Sequence, residues 1–380
     1  MIDDLARLTP DLDALGWDEE LERWAGSEGA VEDELARGRI ARVSRGFSLV
    51  FTGGDAVLAA SGSMRLQTDL VPATGDYVIV AADPEDGPSL AAIAPRRSAL
   101  SRRAAGRVPE PQVLAANVDD VFVMQGLDRE INLRRIERQL VVSWDSGAEP
   151  IVVLTKSDQI DGGPDALADA VTEVTAIAPG VTVLTVSTVT GQGVDAIADR
   201  VRAGRTVAMM GLSGIGKSTL VNALTDGEVQ RTGEVRAADR RGRHTTVTRD
   251  LIPIPTGGFM IDTPGIREIG LWQAYDGLAR TFPEISEEAD RCRFADCEHR
   301  NEPGCAVRAA QAEGLIPERR LDHWRDLMAE LALQETQLEE FARRSESRDR
   351  ADAERRRDAE RPNKRSRNKS GRRGGGRRRR

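Results

Sequence analysis

Gly211-Leu212-Ser213-Gly214-Ile215-Gly216-Lys217-Ser218, followed by Thr219, is the stretch on which the reading of this chain turns. It fits the phosphate-binding loop pattern G-x-x-x-x-G-K-[ST]. Such a loop binds oxyanions because successive backbone N–H groups point inward at a helix N-terminus. Glycines at 211, 214 and 216 permit the backbone angles and the close approach. Leu212, Ser213, Ile215 and Thr219 complete the stretch expected to line the nucleotide. Lys217 can reach the β- and γ-phosphates, and the Ser218 hydroxyl can ligate Mg²⁺. Val207-Ala208-Met209-Met210 reads as a strand leading into the loop, and a helix is expected after it through Leu224. That is the context the motif requires.

Downstream, Asp262-Thr263-Pro264-Gly265 follows the apolar strand Phe259-Met260-Ile261. An acid at a strand end can hold Mg²⁺ through water, and the Gly265 N–H can bond a γ-phosphate. Between the two motifs lies Arg243-His244-Thr245-Thr246, in a long polar segment without clear periodicity. That suits a switch loop whose threonine completes the Mg²⁺ shell, with Thr246 preferred over Thr245. The base reader is Thr155-Lys156-Ser157-Asp158, just after the strand Ile151-Val152-Val153-Leu154. A carboxylate at Asp158 can accept N1–H and the exocyclic N–H of guanine, whereas adenine offers an acceptor at N1. The Lys156 stem can cover the base face. Thr155 stands where Asn is commoner, so a side-chain tie to the phosphate loop is expected to be lost. Ser187-Thr188, after the next strand, matches the loop that touches the guanine carbonyl. The guanine reader precedes the phosphate loop here, the reverse of the usual order, which is the mark of a circularly permuted GTPase. A site is assembled in space, so its chemistry tolerates the permutation.

At 380 residues the chain exceeds one ordinary core. The formal charge of −8 divides into −19 over residues 1–360 and +11 over 361–380. Residues 1–35 hold twelve acids against Arg7 and Arg23. Residues 1–36 therefore read as an acidic, partly ordered extension. From 37 to 108, short β-rich runs punctuated by Gly, Pro and Asp predict a small antiparallel barrel, plausibly of OB type, although composition does not separate OB from another small barrel. Its exit carries Arg96, Arg97, Arg102, Arg103 and Arg107, either a solvated loop or a nucleic-acid contact. Residues 109–280 alternate strands and helices, which implies a mostly parallel sheet covered on both faces. Residues 281–342, which hold all three cysteines and His299, are expected to form a mostly helical zinc-binding domain in which Trp324, Leu327, Met328 and Leu331 recur at helical spacing. From 343 to 380 the composition predicts a basic disordered tail whose arginine run suits a polyanion such as RNA.

No stretch approaches the ~18–20 apolar residues of a membrane helix. Met1-Ile2-Asp3-Asp4-Leu5 is acidic where a signal peptide is basic. A cytoplasmic, membrane-free and monomeric protein is expected. All three cysteines fall between Cys292 and Cys305, in the pattern Cys292-x4-Cys297-x-His299-x5-Cys305. Three thiolates and an imidazole make the closed tetrahedral shell of a structural Zn²⁺. His323, on the apolar-striped helix, reads as a packing or surface residue.

The order TKSD, S-T, phosphate loop, RHTT, DTPG and then a Cys/His cluster resembles the ribosome small-subunit-dependent GTPase A family of bacteria, over residues 38–342. Gln112 to Asp119, Asn132 to Arg138 and Glu302 to Val307 are similar to that family as well. The acidic extension and basic tail are not general to it. The resemblance implies a GTPase that binds the small ribosomal subunit and its rRNA and assists late maturation, with subunit-stimulated hydrolysis driving release. Ile266 occupies the place of the water-orienting Gln of Ras-like enzymes and cannot do that work. The resemblance implies that His244 takes the part, beside Lys217 and Thr246, with Ser218, Thr246 and Asp262 serving Mg²⁺. Because of the permutation, motion after Asp262 would pass almost directly to the zinc domain. Two rivals remain at this stage: an RNA-binding scaffold with a vestigial nucleotide site, and an ATP-dependent phosphotransferase that leaves Asp158 without a role.

Overall fold

The computed structural model describes residues 10–28, 35–62, 70–82, 85–103, 111–225, 249–262, 271 and 274–360. Strands β1 (Leu35–Ser44), β2 (Phe47–Phe51), β3 (Ala56–Ala60), β4 (Tyr77–Ala81) and β5 (Ser89–Ile93) close into a barrel in the order β1-β2-β3-β5-β4. β1 pairs antiparallel with both β2 and β4, and β3 meets β5 in parallel. This is the five-stranded OB arrangement. Ile40, Val50, Ala59, Val78, Val80, Leu90 and Ile93 fill its interior.

The acidic extension is docked on the barrel. Helix α1 (Glu19–Ser27) is capped by Asp18, whose carboxylate accepts the N–H groups of Glu20 and Leu21. Glu19, Glu20 and Glu22 crowd its first turn, where the helix dipole favours negative charge. Leu21 and Ala25 bury against Tyr77, Ala94 and Ile79, and Trp17 meets the Tyr77 ring edge-on at 5.8 Å.

A short hairpin of β6 (Ala99–Arg103) and β7 (Pro111–Ala116) leads out of the barrel. Asn117 follows in a left-handed conformation, φ 54°. Its side-chain N–H donates to the Gly75 carbonyl, and its Oδ1 accepts the Arg97 N–H. Fully buried Arg39 donates to the carbonyls of Gly75, Leu15 and Asn117. One guanidinium thus joins barrel, extension and the next domain.

The central domain runs β8 (Asp120–Gly126), α2 (Leu133–Asp145), β9 (Glu149–Thr155), α3 (Gly163–Ile177), β10 (Thr182–Val186), α4 (Val194–Ala198), β11 (Thr206–Met210), α5 (Lys217–Leu224), β12 (Leu251–Pro253) and β13 (Phe259–Asp262). Its sheet has the order β10-β9-β8-β11-β13-β12, parallel except for the edge strand β12. Alternate residues of β8 enter opposite cores, Val121 and Val123 on one face, Phe122 and Met124 on the other. Burial on both faces explains why these strands read as continuous apolar runs.

Four C-terminal helices follow: α6 (Tyr275–Thr281), α7 (Pro283–Ala289), α8 (Ala306–Ala312) and α9 (Glu318–Glu360). Of these, α6 and α9 are seated on α2. A Cβ at Gly277 would come within 2.1 Å of the Val141 carbonyl oxygen, so only glycine lets α6 approach this closely. Leu327 and Leu331 of the predicted stripe are buried, with Trp324 and Met328 partly so. His323 is more than a packing residue. Its Nδ1 lies 2.5 Å from the buried Glu137 carboxylate of α2, which also accepts from Arg320 at 3.0 Å. Arg320 bonds Glu284 and the carbonyls of Ile177 and Thr281 as well. Helix α9 runs over 43 residues to Glu360, well past the start of the expected disordered tail at 343. Pairs such as Arg343 with Glu339 and Arg344 with Glu340, at i,i+4, favour helix where composition alone reads as low complexity. Among the described residues no helix is long and apolar enough to cross a membrane.

Candidate functional site

Strand register gathers the separated motifs along one edge of the central sheet. Met209 on β11 pairs with Asp262 on β13, and Met210 with Val123 on β8. Gly126 pairs with Thr155, and Thr155 with Val186. The phosphate loop, base reader, Ser187-Thr188 and Asp262 therefore all leave the carboxyl ends of neighbouring strands, where open α/β sheets bind ligands. At about 4.8 Å per strand, the row from β10 to β13 spans roughly 19 Å.

Gly216 takes a φ of 105° and caps α5, and a Cβ at Gly211 would press on the Met124 carbonyl at 3.0 Å. Both positions accept the backbone path that turns the loop's N–H groups inward. Lys217 is 9% exposed, and its Nζ donates to the carbonyls of Gly211 and Leu212 at 2.7 and 2.9 Å. The ammonium is thereby held across its own loop. Ser213, Gly214 and Thr219 are exposed, Leu212 and Ser218 half-buried, and Ile215 buried.

At the base end, the expected loss of a tie at Thr155 is corrected. Its hydroxyl donates to the Ile215 carbonyl at 2.7 Å, so the two loops are joined after all. The shorter side chain suffices because the loops lie close, the Thr155 side chain being 4.0 Å from where a Gly216 Cβ would stand. Lys156 is left-handed, φ 57°, and its Nζ donates to Asp128 at 2.7 Å. Hydrogen bonds from Arg129 first, then Lys156, hold the Asp128 carboxyl well below the usual carboxylate range. Sequence reasoning missed Asp128. Its signal was positional, since the loop after β8 opens on the same sheet edge as the recognised motifs. Asp158 stands exposed in the tight turn Ser157–Gln159, with Ser157 buried behind it. Ser187 closes its loop by accepting the Thr190 N–H on Oγ, and Thr188 is half-buried beside it. Asp262 is 4% exposed at the end of β13. His244, Thr246 and Gly265 lie outside the described residues.

The second site is built where α7 ends and α8 begins. The donor atoms of Cys292, Cys297, His299 and Cys305 all lie within 4.8 Å of one another. The Sγ atoms of Cys292 and Cys305 are 3.9 Å apart, and each is 3.5 Å from His299 Nδ1. Burial raises the Cys292 thiol, but hydrogen bonds from the N–H groups of Val307 and Ala306 and from the Cys297 and Cys305 side chains together leave its pKa below the ordinary value. Burial also lowers the His299 pKa, favouring the neutral imidazole that a metal needs. His299 is left-handed, its carbonyl accepts from Arg325, and its ring lies 5.3 Å from that of Trp324. These four residues can hold a metal ion.

An oxyanion-binding loop, an acid at the neighbouring strand end and a guanine-type reader tied to that loop define a P-loop GTPase with its motifs in permuted order. The RsgA GTPase family matches residues 93–272. A Streptomyces coelicolor protein named small ribosomal subunit biogenesis GTPase RsgA is 45% identical over 323 residues, covering 84% of this chain and 86% of that protein. One of the same name from Methanosarcina acetivorans is 40% identical over 325 residues, covering 85% and 86%. The crystal structure of YjeQ from Thermotoga maritima superimposes with a TM-score of 0.60 at 26% identity, covering 78% of this chain and 99% of that one. YloQ, described as a circularly permuted GTPase, shares the fold with a TM-score of 0.57 at 23% identity over 80% and 97%. The chain belongs to the RsgA GTPase family and is a GTP-hydrolysing enzyme.

Proposed function

We propose that this GTPase acts on the small ribosomal subunit late in its maturation, docking in the GTP state and leaving after hydrolysis. The support is the names carried by relatives that match over most of their length, together with a chain that sets an OB-type barrel before its GTPase domain and a helical domain with a Cys/His cluster after it. Both are suited to gripping rRNA. Lys217 stabilises charge that develops on the transferred phosphoryl group, while Ser218, Thr246 and Asp262 serve Mg²⁺ and the Gly265 N–H meets the γ-phosphate. His244 helps to place the attacking water, work that Ile266 cannot do. The chain acts as a monomer in the cytoplasm.

The metal is zinc, in a structural role. Tetrahedral ligands at about 2.3 Å for sulfur and 2.0–2.1 Å for nitrogen stand about 3.8 Å apart sulfur to sulfur and about 3.5 Å sulfur to nitrogen. The separations of 3.9 and 3.5 Å in the cluster fit that shell. Metal analysis should give one zinc per chain, and Cys305→Ser should lose it while GTP affinity holds. A zinc-free wild-type protein would refute the assignment.

Co-sedimentation with purified small subunits tests the function. A non-hydrolysable GTP analogue should retain the protein on the subunit more strongly than GDP does. Equal retention in both states would contradict a nucleotide-controlled cycle. The scaffold alternative predicts that Lys217→Ala changes nothing in turnover.

A further inference from the structure

Arg249 and Asp250 follow closely after His244 and Thr246 in the chain, and there the barrel takes hold of it. Arg42 of β1 reaches across to Asp250 with two parallel hydrogen bonds, Nε to Oδ1 and Nη2 to Oδ2, the latter 2.6 Å long. The Arg42 side chain is 4% exposed and that of Asp250 22%. An exposed ion pair contributes little, but a bidentate pair screened from water fixes both partners in geometry as well as energy.

Arg42 reaches out of the barrel because the register of β1 against β2 slips between Ile40 and Arg42. A bulge of this kind re-aims a side chain. A second hold lies one residue upstream of Asp250, where the Thr74 hydroxyl donates to the Arg249 carbonyl at 3.1 Å. Thr74 is itself clamped to the end of β7, its carbonyl accepting the Ala116 N–H. Beside it a Cβ on Gly75 would fall 2.2 Å from the Ala116 carbonyl oxygen. Strand β1 also packs against β12, which begins directly after Asp250. The barrel therefore bears on the chain four residues beyond Thr246 through an ion pair, a hydrogen bond and a strand contact.

We propose that Arg42, acting through Asp250, is a positioning residue for GTP hydrolysis, coupling engagement of the barrel by the subunit to the placement of the segment that bears His244 and Thr246. The inference rests on the proposed reading in which the subunit stimulates turnover. Binding energy gained at the barrel would reach the γ-phosphate through a contact that touches neither nucleotide nor RNA.

The test uses the full chain with purified small subunits and compares wild type, Arg42→Gln, Asp250→Asn and the exchanged pair Arg42→Asp with Asp250→Arg. Each single variant should lower kcat at saturating subunits about 10-fold, an ordinary size for coupling between two sites, with KM for GTP and Kd for the subunit within about two-fold of wild type. The exchanged pair should recover most of the loss, because it restores the ion pair with its polarity reversed. Stimulated kcat unchanged in both single variants overturns the inference while the proposed function stands. A loss that falls equally on KM and subunit affinity, and that the exchange does not repair, reduces Arg42 to a structural residue and overturns it as well. Wild type that is not stimulated at all refutes the proposed function first, and the coupling with it.

Discussion

Thr155 shows how a residue out of pattern can still fill its role. The tie expected from Asn is made by a hydroxyl to the Ile215 carbonyl, and the loop on the far side is steadied by Lys156 bonded to Asp128. The residue types in the motifs were legible because each is demanded by chemistry. Asp128 was not, since its importance comes from which strand ends beside which. Asp158 is exposed and set in a tight turn, and the proposed reading has its carboxylate accept two N–H groups from guanine. Hydrogen bonds to a charged acceptor contribute about 1.5–3 kcal/mol. Asp158→Asn should therefore weaken GTP binding about 10- to 100-fold and shift preference toward xanthosine triphosphate, whose base offers an oxygen where guanine has the amine. Competition binding with the two nucleotides measures this, and an unchanged preference for GTP would remove Asp158 from base recognition.

At the scale of the element, the joint between the central domain and the C-terminal helices is made by Glu137. It is fully buried on α2 and faces Arg320 and His323 of α9. Removing one partner of a buried charge network costs about 3–5 kcal/mol, because the others lose their counter-charge in a site water cannot reach. Glu137→Ala should lower the melting temperature by about 10 °C, read by calorimetry. A shift of a degree or less would mean that the network carries no weight. The apolar stripe of α9 was legible from its spacing, and so was the alternation that defines the central sheet. What α9 does with Glu137 was not, because a Glu inside the amphipathic α2 and a His on α9 look like surface residues until the two helices are brought face to face. The same holds for α1, where acids and tryptophans read as a loose extension while their apolar face is buried on Tyr77 and Ile79. Long-range packing overrides local composition in both cases.

For the whole molecule, the permutation decides what the nucleotide touches. The segment after Asp262 leads into the C-terminal helices, and the segment before β12 is gripped by the barrel through Arg42 and Thr74. Both flanking domains thus adjoin, in chain order, the pair of strands β12 and β13. Beyond Leu331, the last buried residue of α9 among those described, the helix extends about 40 Å, and residues 361–380 then carry eleven Lys or Arg and no acid. A polycation on such a spacer suits RNA phosphates, and deleting 361–380 should weaken subunit binding and flatten its dependence on salt. Identical slopes of log affinity against log salt would exclude that role. The central claim, that the subunit switches on hydrolysis at this site, is tested most directly by GTP turnover with and without purified small subunits, in wild type and His244→Ala. Strong stimulation in wild type, lost in the variant, is the predicted result. Wild-type turnover that the subunit does not raise would contradict the account.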